Sequence, residues 1–436
     1  MTDQHNDAIQ RYLSEQRANQ SRFLAELVKV PSDNPPGDCA PHAHRAAALL
    51  EDLGFIVERH PVPADVVRVH GMISATNLVV RERFGPGPTI ALNAHGDVVP
   101  PGAGWTTDPY GAQIKDGYMY GRGAAVSKSD FATYAYALLA LKASGAKLHG
   151  AVELHLTYDE ETGGLIGPAW LLEQGISRPD YVISAGFAYG IITAHNGCLH
   201  LEVEVLGKSA HAARPETGVD ALEAATGVLR DLYAIGKTYA ARKSQVTGID
   251  SPTLIAGLIA GGINTNVVPD KVTFRLDRRI IPEENPAEVE ATLMRQINES
   301  AAKWPGITSS VRRILLAKPF VPMPGQEKLA DAIARHATRI MGEEVRPHGV
   351  PLYTDARHYS AAGIPTVVYG AGPHTLLEAN GHRADEKLKL DDLYRATEVV
   401  AQCLHDLLGA LVPPIELKGG PLTIGEIEAW IAEGRD

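Results

Sequence analysis

Apolar residues in the first thirty positions return at helical intervals: Ile9, Leu13, Phe23, Leu24, Leu27 and Val28. That spacing predicts an amphipathic helix over residues 7–30, broken by the run V-P-S-D-N-P-P-G-D. Residues 41–54 read as a second helix with Gly54 as its C-cap, and Phe55 to Val62 starts a strand. The pattern then changes. Thr89–Ala94, Val152–Thr157 and Tyr181–Ser184 are short apolar runs stopped by turn residues, as buried strands are. A helix from about Lys128 to Ala143 falls between the first two. Strands alternating with helices predict an α/β domain, a mainly parallel sheet with helices on both faces. Ligands of such sheets collect beyond the C-terminal strand ends. From residue 196 the pattern shifts again. Leu199–Leu206 alternates like a half-buried antiparallel strand. A helix over 219–235, strands near 252–258 and through Arg275, and a helix over 286–303 follow. This predicts an inserted α+β domain.

The chain has 436 residues, 44% hydrophobic and 21% charged, enough for two domains with their own cores. Its net charge of −11 and the lack of a basic run argue against nucleic acid or an anionic membrane surface as partner. The longest glycine-broken apolar stretch, Leu254–Ile263, is far short of a bilayer span. Cys39, Cys198 and Cys403 are odd in number and widely spaced, which speaks against a disulfide framework and for a reducing compartment. The polar first residues lack a signal peptide's apolar core, so a cytoplasmic location is expected.

Chemistry concentrates at two of the strand ends. His95 closes the strand 89–94, and Asp97, two residues on along extended chain, points the same way. A histidine beside a carboxylate is the arrangement of a metal ligand with its orienting partner. Read alone, H-x-D fits equally a hydrogen bond that ties down a loop. Glu160 and Glu161 follow the strand 152–157 in Y-D-E-E-T-G-G. Read alone, that string fits a solvated acidic turn.

The strings H-G-D-V-V-P, G-W-T-T-D-P-Y and D-G-Y-M-Y-G-R-G-A, in this order over residues 95–124, resemble the metallopeptidase family of aminoacylase, carboxypeptidase G and succinyl-diaminopimelate desuccinylase. G-K-S-A-H, N-V-V-P-D, T-D-A-R-H, G-I-P-T-V-V-Y-G and N-G-H-R-A-D-E extend the resemblance along the chain. It implies a discontinuous catalytic domain, residues 1–195 and 313–436, and a lid or dimerisation domain over 196–312. It implies a divalent transition metal of the manganese or zinc class, held by His95, Glu161 and His382, with Asp97 beside His95. Glu160 would be the general base. His211 would reach across a homodimer, or a higher oligomer, to steady the oxyanion. Asn266 and Arg279 would hold the carboxylate of a small-molecule substrate.

Two positions depart from the family's pattern. Val126 stands where relatives carry a metal-bridging Asp, and Gly186 where they carry a further acidic ligand. The expected G-G before T-D-A-R is L-Y. One ion per subunit is therefore expected. Three explanations stay open. The protein runs on one weakly held ion; or Ser127, Asp130, His195 or His200 replaces the lost ligands; or the chain is an inactive ligand-binding relative. His155, His348, His358 and His374 read as surface or packing residues. A less charged, roomier site suits a flat or apolar substrate. The expected reaction is hydrolysis of a C–N bond, specifically deamination of an aromatic amino acid such as 5-nitroanthranilate, the substrate of the family's 5-nitroanthranilate aminohydrolase branch. Hydrolysis of an N-acyl amino acid or dipeptide is the alternative.

Overall fold

The buried runs assemble into one eight-stranded sheet in a computed structural model that describes residues 2–409. Its strands lie in the order Val57–Pro61, Thr76–Arg83, Ala151–Thr157, Thr89–His95, Tyr181–Ser184, Thr366–Val368, Ile191–His195 and Pro347–Val350. The four strands from Ala151–Thr157 to Thr366–Val368 run parallel; Thr76–Arg83 and Ile191–His195 flank them antiparallel, and the outermost strands pair antiparallel with Thr76–Arg83 and parallel with Ile191–His195. The expected mainly parallel sheet is thus present. Alternate residues of Thr89–His95 face opposite layers. Ile90 and Leu92 pack into the main core, while Ala91 joins Val182 and Tyr359 on the other face.

Helices Thr2–Val28, Lys128–Ala143 and Leu390–Gly409 pack on one another over the first face. Lys128–Ala143 has the bounds its sequence predicts, yet almost every residue of it is buried. It is covered by helices on its outer side as well as by the sheet. The smaller helices Pro168–Glu173 and Ala356–Ala361 lie over the second face.

A separate four-stranded antiparallel sheet, in the order Thr253–Gly261, Lys271–Ile280, Gly197–Leu206 and Thr308–Ala317, carries helices Ala221–Thr238 and Pro286–Ala301 on one face. This is the inserted α+β unit. Its last strand runs to Ala317, so the expected cut at residue 312 falls inside a strand. Residues 410–436 of the expected catalytic segment lie outside the described residues. No described helix is long and apolar enough to cross a membrane. All three cysteines are buried and free.

Candidate active site

The C-terminal ends of the parallel strands surround a cavity of about 290 Å³. His95 ends one strand, and Glu160 and Glu161 follow another in a short 3₁₀ turn, Glu160–Thr162. His95, Glu160 and Glu161 each present a ligand atom within 4.8 Å of the others. His382 comes from far along the chain, and its Nε2 lies 3.5 Å from Glu161 Oε1. The backbone at His382 is left-handed, with φ 62°. Its loop is tied down by its neighbours: Asp385 accepts the Thr106 N–H at 2.9 Å, and buried Glu386 pairs with buried Arg122 and accepts the Gly123 N–H at 3.0 Å. The G-R-G-A turn and the His382 loop are thus one hydrogen-bonded unit.

Asp97 is fully buried, and its task differs from the expected one. The His95 Nδ1 sits 3.0 Å from the Asp97 backbone carbonyl and 3.4 Å from its carboxylate. The carbonyl holds the Nδ1–H tautomer, which leaves Nε2 for a metal. The carboxylate instead accepts the backbone N–H of Glu160 at 3.2 Å and of Glu161 at 3.1 Å, and the amide of Asn34 at 3.0 Å. It sets the position of the glutamate pair more than that of the histidine.

The cleft holds a surplus of buried carboxyl groups. Burial pushes Asp130 up to about 7 and Glu160 and Asp355 up to about 8, and repulsion among Glu160, Glu161, Asp97 and Asp355 adds to it for the latter two. Burial opposes the charge on His95, but Glu160, Asp97 and Glu161 outweigh it and raise its pKa. Imidazole and carboxylate donors converging where negative charge is in excess are a fit for a borderline divalent cation.

Val126 and Gly186 both line the cavity. A Cβ at Gly186 would stand 2.3 Å from Val368 Cγ1 and 3.1 Å from the Tyr369 nitrogen. The neighbouring strand therefore leaves no room there for an acidic side chain. Of the four substitute ligands considered, Ser127 and Asp130 line the cavity. Asp130 is engaged by the Ala371 N–H at 2.7 Å, and the Ser127 hydroxyl accepts the His95 N–H at 3.3 Å. His195 does not line it. Its Nδ1 meets the Asn196 carbonyl at 2.9 Å and its Nε2 accepts the Thr354 N–H at 3.0 Å. His200 lies in the inserted sheet beside Cys198 and Asp277.

Arg279 reaches the cavity from the inserted sheet, held by Asp277 at 3.0 Å. His211 and Asn266 do not line it. They meet in an exposed ribbon, where the Ala212 N–H bonds the Asn266 carbonyl at 3.0 Å. His155 is a packing residue, bonded to Tyr359 at 2.9 Å, and His358 bonds the Gly163 carbonyl at 2.9 Å. His348 meets the Arg346 carbonyl at 3.1 Å, and His374 is an exposed partner of Glu343. Tyr353 and Asp355 line the cleft without having been assigned a role. The L-Y in place of G-G was the trace of Tyr353. Asn34 sits in a string that reads only as a breaker.

A family model, peptidase family M20/M25/M40, matches residues 91–406. The chain belongs to that family. It is 30% identical to acetylornithine deacetylase of Myxococcus xanthus over 369 residues, 84% of this chain and 91% of the relative. Its fold is similar to the M20 metallo-carboxypeptidase Sso-CP2 of Sulfolobus solfataricus, with TM-score 0.73 and 18% identity over 88% of this chain and 98% of that one. It is also similar to the Bacillus subtilis YXEP protein, described as a dinuclear metal-binding M20 peptidase, with TM-score 0.62 and 16% identity over 91% and 99%. As a member of the family, the chain is a metal-dependent hydrolase of C–N amide-type bonds.

Proposed function

We propose that the chain hydrolyses a C–N bond in a small substrate that carries a carboxylate on a flat, apolar body, with one divalent cation in the cleft of each subunit, held by His95, Glu161 and His382. The observation that carries this reading is the cleft wall. Val126, Phe187, Leu352, Tyr353 and Leu376 line it with Arg279, and packing leaves no room for an acid at position 186. Arg279 suits a substrate carboxylate, which its planar fork can grip with two hydrogen bonds. Deamination of an aromatic amino acid such as 5-nitroanthranilate fits this shape.

A manganese- or zinc-class ion bound there would supply Lewis acidity and bring the pKa of a water nucleophile toward ~7. Glu160 Oε2, 4.0 Å from His95 Nε2, takes the proton from the attacking water and returns it to the departing amine. The His211 Nδ1 accepts the Ala213 N–H at 3.0 Å, so the neutral ring carries its proton on Nε2. That N–H is ready to donate to an oxyanion.

His211 and Asn266 serve the cleft of a second copy in this reading. The edge strand Thr253–Gly261 supports it: Ile255, Leu258 and Ile259 are exposed on an edge with no outer neighbour among the described residues. The free, buried cysteines agree with a cytoplasmic setting.

Likeness to acetylornithine deacetylase favours a second reading, hydrolysis of an N-acyl amino acid. The test is one assay of protein stripped and reloaded with manganese or zinc. Ammonia release is measured on 5-nitroanthranilate and amide hydrolysis on N-acetyl amino acids. Turnover of the aromatic amine is expected. Turnover confined to the N-acetyl compounds overturns the aromatic reading, and binding without turnover of either class would show an inactive relative.

A further inference from the structure

We propose that Cys198, His200 and Asp277 form a second metal site, outside the cleft carboxylates, for a thiolate-preferring divalent cation such as zinc. Cys198 and His200 lie two apart on Gly197–Leu206, so both side chains leave the same face of the inserted sheet. Asp277 is the ladder partner of His200 on the adjacent strand. The site is thus built on two neighbouring strands in the middle of a sheet, and its backbone is fixed before any ion arrives.

The three donor atoms form a closed triangle. Cys198 Sγ lies 3.1 Å from His200 Nε2, His200 Nε2 lies 3.0 Å from Asp277 Oδ2, and Sγ lies 3.7 Å from Oδ2. Tetrahedral zinc, with bonds of about 2.0–2.3 Å, spaces its ligands by roughly 3.3–3.6 Å. Movements of a few tenths of an ångström would open the triangle around an ion. Thiolate, imidazole and carboxylate together form a donor set that zinc accepts. Half-exposed His200 and partly exposed Asp277 leave one side open for entry and for a fourth ligand from solvent.

A nucleophilic Cys-His-Asp triad would need the imidazole to use its two nitrogens in series, one toward sulfur and one toward the acid. Here the same Nε2 faces both. The atoms converge on a point, which is the geometry of chelation. The site also touches the cleft. Asp277 offers Oδ2 to the triangle while its Oδ1 accepts from Arg279 at 3.0 Å, and Arg279 lines the cavity. An ion on Asp277 would fix the carboxylate that positions Arg279.

Cobalt(II) titration of the full chain tests this. A thiolate bound to cobalt gives an intense near-ultraviolet charge-transfer band. His95, Glu161 and His382 offer no sulfur, so the cleft cannot produce it. Cys39 and Cys403 are buried and belong to no such ligand group among the described residues. The band is expected in wild type, absent in Cys198→Ser, and formed with affinity weakened by about tenfold or more in His200→Gln, by analogy with losses at metal-site partners. His200→Gln changes a half-exposed residue and keeps the test alive if Cys198→Ser does not fold. Cobalt uptake by wild type without the band, or a band that survives either substitution unchanged, would overturn the proposal. Neither result depends on turnover, so each is separable from failure of the cleft reading.

Discussion

Replacing Asp97 by Asn keeps shape and removes the capacity to accept hydrogen bonds at one end of the side chain. In the structure both ends are used. Oδ1 takes the Glu160 N–H and faces the His95 ring, and Oδ2 takes the Glu161 N–H and the Asn34 amide. An Asn would turn its NH₂ toward the Oδ1 end, where the His95 ring keeps the Asp97 backbone carbonyl as partner, so the Glu160 N–H is left facing a donor in a site with no solvent access. A buried donor left unpaired costs about 1–3 kcal/mol. The cost falls on the turn that carries Glu160 and Glu161. Part of it should be relieved by that turn shifting, which moves Glu161 away from His95 and His382. The expected result is a lower melting temperature together with metal affinity weakened about 10–100-fold, the range typical for losing a partner of metal ligands. Calorimetric metal titration and a thermal melt of the metal-free protein read the two effects. An Asp97→Asn variant with wild-type affinity and melting temperature would refute the assignment of this carboxylate as the anchor of the glutamate turn.

Three further expectations follow from the same geometry. Glu160→Gln should lower kcat by about 10²–10⁴ with metal content retained, since it removes the proton acceptor and spares Glu161; wild-type kcat on the true substrate would show that another group is the base. Val126→Asp should fold and bind metal more tightly while losing the native reaction, whereas Gly186→Glu should lose folded yield, because its Cβ meets Val368 and the Tyr369 backbone; equal expression and stability of the two variants would contradict this. The third concerns pH. Burial alone would raise the Glu153 pKa, but His155, Ser177 and Arg81 outweigh it and bring it down from 4.5 to about 2. A depressed pKa means stability that is present above about 4.5 and lost as pH falls toward about 2. The melting-temperature gap between wild type and Glu153→Gln should therefore close across that window, and a gap constant with pH would rule out the linkage.

The parts of the cleft that were legible in the sequence are those made by local rules. His95 and the glutamate pair stand at the ends of short apolar runs, and a parallel sheet brings such ends together without further information. The limits of helix Lys128–Ala143 were legible, but its burial on all sides was not. Its outer cover is helices Thr2–Val28 and Leu390–Gly409, both distant in sequence, and no periodicity within the segment encodes that. The end of the inserted unit was misplaced for a related reason. Thr308–Ala317 is an edge strand with a register shift between Arg313 and Leu315, and its exposed arginines hide the alternation that marks a strand. Asn34, Arg122 and Glu386 had no legible role because each acts through a partner distant along the chain. The exposed ribbon of His211 and Asn266 is the opposite case. The resemblance assigned both residues to an active site, and within one chain neither reaches the cleft.

The two departures from the family's ligand pattern are physically unlike each other. At Gly186 the constraint lies in the scaffold. The Gly186 carbonyl accepts the Gly372 N–H at 2.8 Å, and the strand Thr366–Val368 sits so close that a Cβ would displace the side chain of Val368. An acid cannot return to that position without moving a central strand of the sheet. At Val126 the constraint is chemical. The side chain borders the cavity, and a carboxylate there would join Glu160, Asp355 and Asp130, whose pKa values burial already raises. A second cation would be needed to offset that charge, and the Gly186 side of the site has no acid to help hold one. The loss at position 186 therefore makes the loss at 126 favourable rather than neutral: once the second ion has no anchor, an apolar residue costs less than an uncompensated carboxylate. On the proposed one-ion reading, the space released by the missing acids is the space in which an apolar substrate body would lie.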